Sequence, residues 1–480
     1  MKQLNSIFVN LTAIVPSWFK TTKATKSLRR KVALGLVCLL AFTGSIAQDM
    51  VNSSDKEIVF TSVNVISMEN DQVTSNQIVI IKNGKITAMG KALKYGKDAL
   101  VIDAKGKYLI PGLAEMHAHV PPIDDMEPMK DVLKLFAFNG VTTIRGMLGH
   151  PRHLELRSKI QSGEILGPRF YTSGPSANGN SVKNTEDAIK LAKEQKAMGY
   201  DFIKLHPGLT KETFTTLSKT AQEVGIPYGG HVSFNVGVWM AAEAKYATID
   251  HLDGMVEALV PGIETMTEQQ NGLFGMFSSE KADEARIPKV IQALKDNGVW
   301  LVPTQALAER WFAPAATPEL MNAAPEMKYM DAKTRENWMN SKKTLVANPL
   351  YNADKISNFI KLRRKLILES QKSGVGILLG SDGPQIFNVP GFSIHHELRY
   401  LVDSGLTPFQ ALQAGTVNVA KFYNATDRGT IKPGNVADLV LLNGNPLQDI
   451  TKSTSIEGVM LNGKWLSKEY IDSEMKKLVK

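Results

Sequence analysis

Cysteine is almost absent: the chain of 480 residues carries one, Cys38. A single thiol excludes an internal disulfide. Cys38 sits inside the leader described below. A chain cleaved after that leader therefore has no thiolate metal ligand and no cysteine nucleophile. Any metal must be held by histidine, carboxylate or lysine chemistry. A Gly-x-Ser-x-Gly elbow is also missing, which removes the usual serine-hydrolase signature. There is no low-complexity tract and no repeat with a period of about 20–50 residues. No apolar run reaches the ~20 residues that span a bilayer. Hydrophobic residues make up 43% and charged residues 21%, ordinary globular values that argue against a disordered or multi-span chain.

The net charge of +9 suggests a nucleic-acid or membrane partner, but its location argues otherwise. Residues 1–47 hold seven basic side chains (Lys2, Lys20, Lys23, Lys26, Arg29, Arg30 and Lys31) and no acidic one. The remainder has 49 basic against 47 acidic residues, a balance of +2, and no basic patch of the kind nucleic acid requires. The leader reads as an export signal. Arg29-Arg30-Lys31 precedes an apolar run over 32–42, and Ser45 and Ala47 fit a small-x-small cleavage site. The run is too short for an anchor, so the expectation is a periplasmic or secreted protein with no stable membrane insertion. The long stretch before Arg29 leaves the true start open. The export route is open too, since Arg29-Arg30 is only a weak twin-arginine hint.

After the leader, residues 58–65, 77–82 and 85–89 alternate like strands. Asn83-Gly84 is a type I′ hairpin signal between the last two. The same texture returns at 438–442 and 458–461, followed by Asn462-Gly463. Between these regions lie eight short apolar strand candidates: 113–120, 141–147, 169–174, 202–207, 227–233, 248–254, 300–305 and 376–382. Helical patterns such as 185–198, 211–224 and 288–297 separate them. That alternation implies a parallel sheet. The predicted fold is α/β: a (β/α)8 TIM barrel inserted in a small β-sandwich module built from both chain ends. The predicted boundaries are 1–47 for signal and leader, 53–110 and 425–480 for the two parts of the β-module, and 111–424 for the barrel. An open doubly wound sheet is the alternative, weakened by the lack of a Gly-x-Gly-x-x-Gly loop after the first strand.

Candidate site residues fall late in these strands, where barrel enzymes carry their chemistry. His117-Ala118-His119 places two imidazoles on one strand face, on Cα atoms about 6.6 Å apart, close enough to converge on one ion. His231, His251 and Asp382 close the fifth, sixth and eighth strands, and Lys204 lies in the fourth. Alone, each has an ordinary reading as a core histidine, a turn aspartate or a solvated lysine. Together they point to a metal site, because the fold brings one end of every strand to one mouth.

These residues carry a resemblance. The run from Leu109-Ile110-Pro111-Gly112 to His117-Ala118-His119 resembles the opening motif of the amidohydrolase superfamily. So do 140–145, Phe202-Ile203-Lys204, the His231 and His251 segments, Gly380-Ser381-Asp382 and the stretch 431–442. The branch it looks most like is imidazolonepropionase-like and metal-dependent prolidase-like. The resemblance implies two divalent ions, zinc being the first expectation. His117, His119 and Asp382 would hold one and His231 and His251 the second. A carboxylated Lys204 and a hydroxide would bridge them. Asp382 would also act as the catalytic base. The run His231-Val232-Ser233-Phe234-Asn235 and the segment Asp250-His251-Leu252 depart from the family's usual pattern, which unsettles any carried-over substrate.

The expected function is an exported hydrolase that cleaves an amide bond, peptide-like or N-acyl amino acid, by a metal-bridging hydroxide. A lactonase or esterase on the same site and a non-catalytic metal-containing binding protein are the alternatives. Tyr228, His206 and Arg145 are candidate substrate contacts, each with a competing reading as a core or loop residue. His150 could also meet an anionic group, and His395-His396-Glu397 reads as a helix surface. The long segment 306–373, with Trp311, Phe312 and Trp338, reads either as a pocket wall or as helices packed outside. The expected partner is a small amide or dipeptide-like molecule, not nucleic acid; a homo-oligomer stays open.

Overall fold

The computed structural model describes residues 50–480. The export signal and Cys38 lie outside the described residues.

Both ends of the described chain build one nine-stranded sheet. Ile58–Ile66, Val73–Lys82 and Lys85–Gly90 form an antiparallel meander. Tyr108–Pro111 joins the first of these to Leu439–Leu442, which continues into Ile456–Leu461 and Lys464–Ser467. Alternate residues, among them Phe60, Val79, Ile81, Leu439, Leu441 and Trp465, close a separate apolar core. At the turns, Asn83 and Gly84 have φ of 51° and 72°, and Asn462 and Gly463 have 49° and 78°. Two successive positive φ values are what a type I′ turn demands, and asparagine and glycine supply them at least strain.

The middle of the chain is a mixed α/β domain of TIM-barrel type. Three parallel strands, Leu113–Ala118, Val141–Gly146 and Arg169–Thr172, form one arc. Four more, Ile203–Leu205, Tyr228–Gly230, Thr248–Asp250 and Trp300–Val302, form another. Parallel bridges from Ser173 to Phe202 and from Ala177 to Leu205 join the arcs on one side. On the other side the join is the segment expected as the eighth strand over 376–382. It bridges to Leu301 through Ile377, and it accepts the Met116 and His119 amides at Leu379 and Gly383. It forms no regular ladder of its own, a departure from expectation. The approach to its neighbours is close enough to require glycine at 380, where a Cβ would lie 2.5 Å from Val302 and 3.0 Å from the His117 nitrogen. The chain then turns out of β geometry at Asp382, where φ is 66°.

The helices follow their capping signals. Thr185–Met198 starts on the Asn184 side chain and stops at Gly199, where φ is 85°. Lys211–Val224 starts in a Thr210/Thr213 capping box and stops at Gly225. The third expected helix runs over Ile287–Asp296, one residue earlier than the pattern suggests. The segment 306–373 serves both readings offered for it. Its start is a wide π-type turn, Ala308–Phe312, at the barrel mouth; Ala332–Val346 and Ala353–Ser373 are outer helices. Among the described residues, no helix is long and apolar enough to cross a membrane.

Candidate metal centre

Strand parity sets the inward face. Glu115, His117 and His119 share one face of the first barrel strand, and Lys204 pairs with Gly229 across the fourth and fifth. His119, His231 and His251 each follow the last residue of a strand, so the rings lie over the same mouth. Asp382 Oδ1 is 2.6 Å from His119 Nε2 and 3.6 Å from His117 Nε2, and its Oδ2 is 3.8 Å from His251 Nδ1. Lys204 Nζ lies 3.4 Å from His117 Nε2. Ring centroids of His251 stand 4.4 Å from those of both His117 and His231. The structure thus brings together all six residues expected at the site. In His117, His119 and Asp382 the candidate ligand atoms lie within 4.8 Å of one another.

The donor set suits divalent cations. Burial holds His117 and His251 well below the ordinary imidazole range and His231 at about 3, so the rings stay neutral with a lone pair to give. Burial also brings the fully enclosed Lys204 amine down to about 8, partly opposed by Asp250 and Asp382. The tautomers are steered from behind. His231 Nδ1 lies 3.0 Å from Asp253 Oδ2, and His251 Nδ1 lies 2.8 Å from Thr304 Oγ1. Such contacts on one ring nitrogen leave the other free for a metal. His117 Nδ1 is 2.8 Å from Asp250 Oδ2 but outside hydrogen-bonding geometry, a buried polar atom without a bond of its own.

The mouth is strained, and buried polar groups hold the strain. His251, Leu252, Thr304 and Asp382 have φ of 63°, 55°, 45° and 66°, values that L-residues rarely adopt. The fully buried Arg363 donates 2.6 Å to the His251 carbonyl and 2.9 Å to that of Pro303. Glu115 accepts the amides of His117 at 3.0 Å and Ser381 at 2.7 Å, together with the Ser381 hydroxyl. Burial pushes the Glu115 carboxyl up to about 8. Sequence reasoning missed Glu115, Asp250, Asp253, Thr304 and Arg363. Only Glu115 had a local signal, since it shares the face of His117 and His119.

Of the expected substrate contacts, His206 alone lines the pocket over these residues. Its ring stacks 5.0 Å from that of His231, and its buried Nδ1 has no partner. Tyr228 turns away: its hydroxyl donates to the Ala244 carbonyl and accepts from Gln222. The reason is parity, because three residues separate it from His231 and its neighbour Gly229 holds the inward position. Arg145 is spent inside the barrel. It donates to the Met116 carbonyl at 2.8 Å, to Thr248 at 3.1 Å and to Asp250 at 3.2 Å, leaving nothing for an anionic ligand. His150 caps the helix Pro151–Gln161. His395 and Glu397 are buried structural residues rather than a helix surface. His395 contacts Ser453 and the Asn139 carbonyl, while Glu397 accepts the Gln305 and Ala306 amides. Apart from Gln385, the other pocket walls are apolar, with Val120, Leu148, Leu273, Phe274, Leu307 and Trp311 among them.

This arrangement has relatives. The 5-methylthioadenosine/S-adenosylhomocysteine deaminase of Caldanaerobacter subterraneus subsp. tengcongensis is 23% identical over 446 residues, covering 85% of this chain and 92% of that protein. A solved Xaa-Pro dipeptidase with bound methionine is similar with a TM-score of 0.62 at 19% identity, over 86% of this chain and all of that one. A solved bottromycin amidohydrolase is similar with a TM-score of 0.67 at 20% identity, over 89% of this chain and 91% of that one. The amidohydrolase family model matches residues 108–466, which takes in the barrel and every residue of the site described above. The chain belongs to the amidohydrolase family and is a hydrolase of carbon–nitrogen bonds.

Proposed function

We propose that the protein is an exported, binuclear metal-dependent hydrolase that cleaves the amide bond of a small peptide-like or N-acyl amino acid molecule. The observation that carries this reading is the meeting of three buried imidazoles, the half-buried His119, Lys204 and Asp382 at one mouth. His117, His119 and Asp382 would hold one cation, His231 and His251 the other, and a carboxylated Lys204 would lie between them. The amine's low pKa supports that last role, since only a neutral amine adds carbon dioxide. Imidazole and carboxylate donors suit zinc, the first choice of metal. When bound, two divalent cations polarise the scissile carbonyl and lower the pKa of water from 15.7 toward ~7.

The chain's own residues do the rest. Asp382, beside His119, takes a proton from the attacking water at a carboxylate oxygen and hands it to the leaving nitrogen. Such transfer contributes roughly 10²–10⁴-fold. Asp253 and Thr304 hold the His231 and His251 rings in the tautomer that faces the site. The apolar walls and Trp311 exclude water around an uncharged, bulky substrate group. The same reading takes 111–424 as the catalytic barrel, and 53–110 with 425–480 as a β-module whose sheet folds over its core as a sandwich. Residues 1–47 would be removed on export.

Metal analysis of the purified protein is expected to give two divalent ions per chain. Lys204→Ala is expected to lose most turnover, with partial return on adding short carboxylic acids. Full activity in that variant would remove the bridging role. A library of dipeptides and N-acyl amino acids, each paired with its ester, identifies the bond cleaved. Turnover confined to the esters would replace the amide reading with the lactonase or esterase one.

A further inference from the structure

We propose that a second pocket beside the metal centre binds a protonated amine on the substrate, several bonds from the scissile carbonyl. The proposal rests on the hydrolase reading above and deepens it. The pocket lies behind His231 and Phe274, which line both cavities. Its own lining adds three carboxylates, Asp253, Glu257 and Glu268.

Glu257 points to a missing ligand. It is only 8% exposed, and its Oε2 is buried with no hydrogen-bond partner. Its Oε1 accepts from Asn271 Nδ2 at 2.9 Å. Asn271 cannot swing round to serve the second oxygen, because Ser278 donates to its Oδ1 at 2.6 Å and its Nδ2 also reaches the Gly272 carbonyl. Among the described residues, no lysine or arginine nitrogen lies within 4.0 Å of any of the three carboxylates, and the one ion-pair contact is Asp253 with His231. Arg363 acts on Asp253 and Glu257 from a distance, and Lys204 on Asp253, but the Arg363 nitrogens are committed to Gln305 and to the carbonyls of His251 and Pro303. Burial and the neighbouring Asp253 push the Glu257 carboxyl up to about 8, and a ligand cation in contact with it would favour the ionised form.

An organic ammonium suits the pocket better than a metal ion. Phe274 offers an aromatic wall, which favours an organic cation. Asn271 turns its amide nitrogen toward Glu257, so it gives no neutral oxygen of the kind that hard metal ions collect. The His231 ring, and its 3.0 Å contact with Asp253, stands between the pockets. An amine bound there therefore sits on a side chain or linker that passes this ring, not on the carbon next to the carbonyl.

The test uses the metal-loaded enzyme and three matched p-nitroanilides, of lysine, Nε-acetyllysine and norleucine. The lysine compound is expected to exceed the neutral pair in kcat/KM by about tenfold or more, the value of a charge-assisted hydrogen bond. Glu257→Gln is expected to bring that ratio close to one, and Glu257→Asp to retain part of it. Equal turnover of the three compounds by the unaltered enzyme, or a ratio untouched in Glu257→Gln, overturns the proposal and leaves the hydrolase reading intact. Calorimetry with n-butylammonium and n-butanol on the same protein needs no turnover. Saturable binding of butylammonium alone, weakened in Glu257→Gln, supports the pocket even if no anilide is cleaved, in which case the hydrolase reading falls by itself. Equal binding of both probes, or displacement of butylammonium by micromolar calcium, overturns it.

Discussion

The hairpin turns of the terminal sheet and the mouth of the barrel both contain left-handed backbone, yet they treat it oppositely. In the two Asn-Gly turns it falls on Asn83-Gly84 and Asn462-Gly463, residue types that tolerate it, although the loop after Ile58–Ile66 carries it on Met68. At the mouth it falls on His251 and Asp382, which tolerate it less well, and on Leu252 and Thr304, which do not. The turns need only a direction change, so sequence has been free to choose the least strained residues. The mouth needs particular side chains at particular places, and the fold holds them there through Arg363 and Glu115. Stability is local and inexpensive in one region; in the other it is long-range and subordinate to chemistry.

The sharpest way to break this contrast is Asp382→Asn. Asparagine tolerates left-handed backbone, so melting of the metal-free protein should change little while kcat of the metal-loaded enzyme falls by roughly 10²–10⁴-fold. A large loss of stability with modest loss of rate would make Asp382 a structural residue. Next in size is metal removal. Chelation is expected to lower the melting temperature and zinc to restore it; the stabilisation reaches about 4 kcal/mol when free cation exceeds its dissociation constant a thousandfold. An unchanged melting curve would mean the mouth is rigid without cations.

Acid should weaken the fold as well. Burial lowers His153 and His395 to about 4 in the folded chain, against ~6.5 when unfolded. The unfolded chain therefore takes up protons first, so their stabilisation is complete above about pH 6.5 and fades as pH falls toward 4. Glu115 and Glu397, pushed up to about 8 by burial, act in the opposite sense over this range, so the histidine part is read from the flattening that His395→Asn produces between melting at pH 7.5 and pH 5. The smallest effect is on the other side of the comparison. Gly84→Ala puts a Cβ at φ of 72° and should lose about 1–2 kcal/mol of stability, seen by denaturant melting, with kcat unchanged.

What could be read from sequence follows the same division. The Asn-Gly turns, the capped helices Thr185–Met198 and Lys211–Val224, and the two-residue spacing of His117 and His119 are local signals, and each has its expected place. Tyr228 was open to the same parity argument, which puts it opposite the inward face. Arg145 was not: its partners Met116, Thr248 and Asp250 lie on other strands, as many as 105 residues away. Glu115 and Ser381 are separated by 266 residues, and no pattern within a short window links them. The eighth barrel segment reads as a strand because it is apolar, and it does bond to both neighbours, but through single bridges rather than a regular ladder.

Glu115 has one more consequence, for the order of events in synthesis. Its carboxylate gathers amides from the first barrel strand and from Ser381, so the ring is sealed next to Asp382. A nascent chain that has not yet emerged past residue 383 has neither its seam nor Asp382, the proposed proton acceptor. On that reading the polypeptide is inert until then, and reactivity arrives together with closure rather than ahead of it.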